Sequence, residues 1–129
     1  MKKQAGFTLI ELAIVLVIIG LLLGGVLKGQ ELINSAKAKN IASDLKNAQI
    51  FIYGYQDKFR SIPGDDANVA THINGGTPAT SPAGSLNNAQ INGAWNSTTA
   101  TDESFLFWQH VRLAGFATGP TAVADAAYL

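Results

Sequence analysis

The sequence predicts one long helix, about residues 7–60, followed by a small C-terminal head, residues 61–129, made of loops and a second helix at about 102–114. Three observations carry this. Leu12 to Leu27 contains no charge and is almost entirely Leu, Ile, Val, Gly and Ala. No proline occurs before Pro63. Beyond Pro63 the pattern breaks into turn formers, Gly, Asn, Ser and Thr, until a short apolar run near the end. A chain of 129 residues accommodates one small domain plus an extended element.

The apolar stretch, with Phe7–Ile10 added, is long enough as a helix to cross a bilayer core of roughly 30 Å. Lys2 and Lys3 precede it and favour a cytoplasmic N-terminus. A secretory signal peptide is cut after its apolar region, at small residues. Here the small pair Ala5-Gly6 stands before that region. Cleavage after Gly6 leaves the apolar stretch on the mature chain, beginning at Phe7. A plain signal anchor is the simpler alternative, and Glu11 argues against it. A carboxylate in a membrane helix costs about 2.5–3.5 kcal/mol, which marks it as a functional candidate. Phe7, with its new ammonium, and Glu11 are four residues apart and share one face at the helix start, where the helix dipole favours an anion. In an assembly, Glu11 pairs with the amine of a neighbour and fixes axial register. Gly20/Gly24 and Gly25/Gly29 form two small-xxx-small pairs that permit close helix packing, and local unwinding near Gly24-Gly25.

Lys2-Lys3-Gln4-Ala5-Gly6-Phe7-Thr8-Leu9-Ile10-Glu11 resembles the class III signal of type IV pilins and type II secretion pseudopilins. In that family a basic leader ends in Gly, and the mature chain begins with Phe, then Thr-Leu-Ile-Glu and an apolar run. The resemblance implies an α+β pilin-like fold, whose head either includes a small antiparallel sheet or is mostly loop and helix. It divides the chain into a leader (1–6), a membrane and filament-core half of the helix (7–28), an amphipathic half (29–60) and the head (61–129). It implies cleavage between Gly6 and Phe7 by a prepilin peptidase, N-methylation of Phe7, and docking through Glu11. Its partners are inner-membrane lipid, an assembly platform with its ATPase, and further copies in a helical filament. The site is the bacterial inner membrane, crossed once with the leader in the cytoplasm, and then a periplasmic or cell-surface filament. Two departures stand out. The helix lacks the proline that many type IVa pilins carry near the position of Lys28, and without cysteine no disulfide closes a C-terminal loop. Both favour a pseudopilin or divergent pilin over an ordinary major pilin.

Further along, Ile41, Leu45, Ala48, Ile52, Tyr55 and Phe59 form one helical stripe suited to covering by the head. Ile62-Pro63-Gly64-Asp65-Asp66 ends the helix. Asp65 and Asp66 read first as water-facing turn residues. Calcium is the alternative, known in some pseudopilins, although such a site needs six to eight oxygens. Residues 71–101 read as surface loop, with Trp95 anchoring it to the helix. Thr101 reads as the N-cap of the second helix, Asp102 and Glu103 as its first turn and Gly115 as its stop. Few period-two strand patterns appear in the head. His72 and His110 are far apart in sequence and read as structural rather than as ligands.

Composition narrows the function. The formal net charge is zero, and the head has few Lys or Arg, so no nucleic acid is expected as partner. No nucleophile–base set, clustered ligands or phosphate loop points to an enzyme or a cofactor. The expected role is a structural filament subunit. The alternatives are a type II secretion pseudopilin, and a minor pilin acting as a binding or adhesion module at a tip.

Overall fold

The computed structural model describes residues 1–3 and 5–129. Among these residues three helices form: α1 (Leu9–Phe59), α2 (Val69–His72) and α3 (Glu103–Leu113). The chain divides into two compact units, Met1–Asp44 and Leu45–Leu129. In the first, every side chain from Phe7 to Lys28 is exposed. This apolar segment has no protein around it to exclude water.

The second unit holds the core. Tyr55 from α1 packs with Val69 of α2 and with Ile73, flanked by Phe59, Leu113, Ala114 and Phe116. Alpha helix α3 supplies Phe105, Leu106, Phe107 and Val111, all buried. Tyr128, near the C-terminus, stacks on Phe105 at 4.6 Å and donates its hydroxyl to the Phe105 carbonyl at 2.9 Å. Arg112 holds the same segment, its Nη1 donating to the carbonyls of Pro120 (2.9 Å) and Tyr128 (2.8 Å).

The apolar stripe is covered only toward its C-terminal end: Tyr55 is buried and Ala48, Ile52 and Phe59 are half-buried, but Ile41 and Leu45 are exposed. The expected turn at 62–66 is present, but Asp65 and Asp66 are buried rather than solvated. The second helix begins at Glu103, with Asp102 and not Thr101 at the N-cap. Trp95 does not anchor its loop; it is 93% exposed.

Among the described residues no strand forms, and the nearest approach to a sheet is an isolated parallel bridge between Ser81 and Asp102. Carboxylates take over the task of tying loops together. Asp65 accepts the amides of Asn88 (3.1 Å) and Ala89 (2.7 Å). Glu103, fully buried, accepts the Ser85 hydroxyl and both the backbone amide (2.7 Å) and side-chain amide (3.2 Å) of Asn92. Asp102 accepts the hydroxyls of Ser81 and Ser97. Those two hydroxyls, Ser81 first, hold its carboxyl below the ordinary aspartate range. Hydrogen bonds to ionised groups are stronger than neutral ones, which suits a head without ladders.

Candidate functional site

The polar residues at the start of α1 are arranged by local capping. A helix leaves its first amides without intrahelical partners. Here the Thr8 carbonyl accepts the Leu12 amide at 3.3 Å, which makes Thr8 the N-cap. Its hydroxyl accepts the Glu11 amide at 3.3 Å. In return, Glu11 Oε2 accepts the Thr8 amide at 2.8 Å and the Thr8 hydroxyl at 3.0 Å. This is a reciprocal capping box, Thr-x-x-Glu. The sequence carries its signature at Thr8 and Glu11, yet reasoning from membrane cost and the Phe7 amine overlooks Thr8 as a partner.

The box has two chemical consequences. It supplies donors to a carboxylate set in an apolar helix, which lowers the cost of keeping it there. Both internal donors converge on Oε2, so Oε1 has no hydrogen-bond partner among the described residues. The Gly6–Phe7 bond lies outside the box. Cleavage there would create an ammonium on the neighbouring residue and would remove none of these contacts.

Phe7, like Glu11, is exposed. A Cβ added at Gly20, Gly24, Gly25 or Gly29 would meet nothing within 4 Å. No contact among the described residues therefore accounts for glycine at these four positions. Helix α1 is long and apolar enough to cross a membrane, and its apolar part is not buried within the protein. Lys28 pairs with Glu31 at 2.8 Å on the exposed surface just beyond the apolar run.

Residues 1–27 match the family model of the prokaryotic N-terminal methylation motif. This is the class III prepilin signal of type IV pilins and pseudopilins. It covers the leader and the apolar part of α1 and leaves the head outside the match. No curated protein and no solved structure is significantly similar to the chain. The prepilin signal points to a structural protein held in a membrane, and the long apolar helix fits that placement.

The head contains no comparable constellation. Asp66 accepts the Tyr55 hydroxyl (2.7 Å), the Asn68 amide (2.9 Å) and His72 Nδ1 (2.7 Å), while Asp65 is occupied by Asn88 and Ala89. Both calcium candidates thus serve protein donors. Among the described residues no three His, Asp or Glu side chains converge as a metal site requires. His110 is buried, and burial holds its pKa below the ordinary histidine value. Burial, together with the bond to Asp66, pushes the Tyr55 phenol well above its usual range.

Proposed function

We propose that this chain is a structural subunit of a type IV pilus-like filament. It enters the bacterial inner membrane through α1 with its leader in the cytoplasm, loses residues 1–6 to a prepilin peptidase, and is methylated on the Phe7 amine. An assembly platform driven by an ATPase then moves it from lipid into a polymer of further copies, in the periplasm or at the cell surface. The observation that carries this reading is the prepilin signal over residues 1–27 together with the exposure of every residue from Phe7 to Lys28.

The capping box gives the docking step a physical form. Glu11 Oε2 is held by Thr8, which leaves Oε1 to accept the Phe7 ammonium of a neighbouring copy. In a low-dielectric helix bundle such a charge-assisted bond is short and directional. It ties the start of one helix to the start of the next and sets the rise of the filament. Glycines 20, 24, 25 and 29 let neighbouring helices approach closely.

A pseudopilin of a type II secretion system is the second reading. It is favoured by the lack of any proline between Phe7 and Ile62 and of any cysteine. The test is electron microscopy of sheared surface material, combined with mass spectrometry of the mature N-terminus. Filaments whose subunit starts at methylated Phe7 support the proposal. A membrane-bound chain that still starts at Met1 overturns it.

A further inference from the structure

We infer that the Ala94–Ser97 turn, led by Trp95 and Asn96, is a binding site for a neutral carbohydrate. Trp95 is 93% exposed, although a tryptophan carries roughly 150–250 Å² of surface suited to burial. Its position is not one of slack chain. The Ser97 amide donates to the Ala94 carbonyl at 3.0 Å and closes a turn with Trp95 and Asn96 at its two central positions. The same carbonyl accepts the Ser104 hydroxyl at 2.8 Å. Ser97 donates its own hydroxyl to Asp102 at 2.6 Å. On the other flank, the Asn92 amide donates to Glu103 at 2.7 Å, and the Asn92 carbonyl accepts the Ser104 amide at 3.0 Å. The turn is thus pegged on both sides to the first turn of α3, and its two free side chains are Trp95 and Asn96.

The surroundings select the ligand. Between Asp66 and Asp102 the sequence contains no Asp, Glu, Lys or Arg. From Leu86 to Ala100 the exposed polar side chains are amides and hydroxyls, Asn87, Asn88, Gln90, Asn96, Thr98 and Thr99, and the exposed apolar ones besides Trp95 are Leu86, Ala89, Ala94 and Ala100. A protein partner matched to a lone tryptophan needs further apolar surface around it, and Gly93, Ala94 and Asn96 provide little. An anionic polymer needs cations that this stretch lacks. A sugar ring instead presents an apolar C–H face for the indole and hydroxyl edges for amides, which both donate and accept. A turn that is already fixed loses little entropy on binding.

The site is testable without filament assembly. Full-length protein in detergent micelles is titrated calorimetrically with cellohexaose and with chitohexaose, and screened on an array of neutral and anionic glycans. Saturable binding to neutral glycans is expected, insensitive to 0.5 M NaCl, because the ligand carries no charge for salt to screen (~8 Å screening already at physiological salt). Trp95→Ala weakens it at least about ten-fold and Asn96→Ala about three-fold, with the urea-unfolding midpoint of the head unchanged. Silence across all neutral glycans, binding to anionic glycans alone, or unchanged affinity in Trp95→Ala overturns the inference. So does a Trp95→Ala chain that loses filament yield without any glycan binding by the parent, since Trp95 then serves contacts between copies. Failure of the parent chain to form filaments, with glycan binding intact, sinks the filament proposal and leaves this site standing.

Discussion

The Gly64 amide donates to Nδ1 of His110 at 2.9 Å, joining the turn after α1 to the middle of α3. Because Nδ1 accepts, Nε2 carries the proton and donates it to the Thr77 carbonyl at 2.8 Å. The imidazole is therefore neutral and fixed in one tautomer. Protonating Nδ1 would set an N–H against the Gly64 amide. Burial lowers the folded-state pKa, with partial opposition from the Thr77 bond and from Asp66. The unfolded chain takes up a proton near the ordinary value of about 6.5, whereas the folded head does so only at lower pH. We expect the His110 contribution to be fully present above about pH 6.5 and to be lost as pH falls below it toward the folded pKa. Nitrogen-detected NMR of the histidine rings in micelles checks this. A His110 that titrates at or above the free value, or that carries its proton on Nδ1, contradicts the assignment.

Gly64 itself allows a sharper test. Its φ is +92°, and a Cβ there would lie 2.5 Å from the Glu103 carbonyl oxygen. Backbone cannot swing aside as a flexible side chain can. Gly64→Ala should therefore destabilise the head by about 2–4 kcal/mol, combining left-handed strain with the loss of the His110 contact. Gly75 is the control: its φ is +84° but nothing lies within 4 Å of an added Cβ. Gly75→Ala should cost about 1 kcal/mol, from strain alone. Urea unfolding of the two variants measures the difference, and equal losses would show that the steric argument is wrong.

The contrast between the two units explains what could be read from the residues. The prepilin signal, the apolar helix and the isolated Glu11 are written locally, as a charge pattern and an apolar run. The C-terminal limit of α1 is local too, because Pro63 restricts Ile62. The head is set by long-range polar contacts. Asp65 and Asp66 look like turn residues, and only the folded chain shows that their donors come from Tyr55, His72, Asn88 and Ala89. Trp95 misleads for the opposite reason: hydrophobicity predicts burial, and nothing in its neighbours announces a turn fixed from Asp102 and Ser104.

Tyr55 and Asp66 make the central polar contact of the head. The phenol donates to Oδ2 at 2.7 Å, and both residues are fully buried. Tyr55→Phe keeps the ring that packs on Phe59 and removes the donor. A buried carboxylate that loses a partner costs about 1–3 kcal/mol, and that loss is expected in denaturant unfolding at neutral pH. The raised phenol pKa adds a second signature. The unfolded tyrosine ionises near pH 10 and the folded one only far above it, so the wild-type head loses stability as pH rises past about 10. Tyr55→Phe should weaken that alkaline loss. An unchanged alkaline profile would assign it to other groups, Tyr128 first among them, whose phenol burial also raises.

The Thr8–Glu11 box separates insertion from assembly. Thr8→Val is nearly isosteric and removes the hydroxyl that both donates to Oε2 and accepts the Glu11 amide. Loss of such a cap costs a helix end about 1 kcal/mol, too little to prevent membrane insertion by an apolar segment of this length. Glu11 would keep only the Thr8 amide and would no longer be held in one orientation. We expect Thr8→Val to be inserted and cleaved normally, yet to assemble less well, because Oε1 is no longer presented to an incoming ammonium. Thr8→Ser restores the hydroxyl and should restore assembly. Glu11→Gln keeps a side-chain acceptor for Thr8 while removing the charge, so it should insert more readily than the wild type and assemble poorly. Immunoblotting of membrane and sheared fractions reads both steps on the same cells. If Thr8→Val assembles like the wild type while Glu11→Gln does not, docking needs the charge alone, and the orienting role of Thr8 is removed.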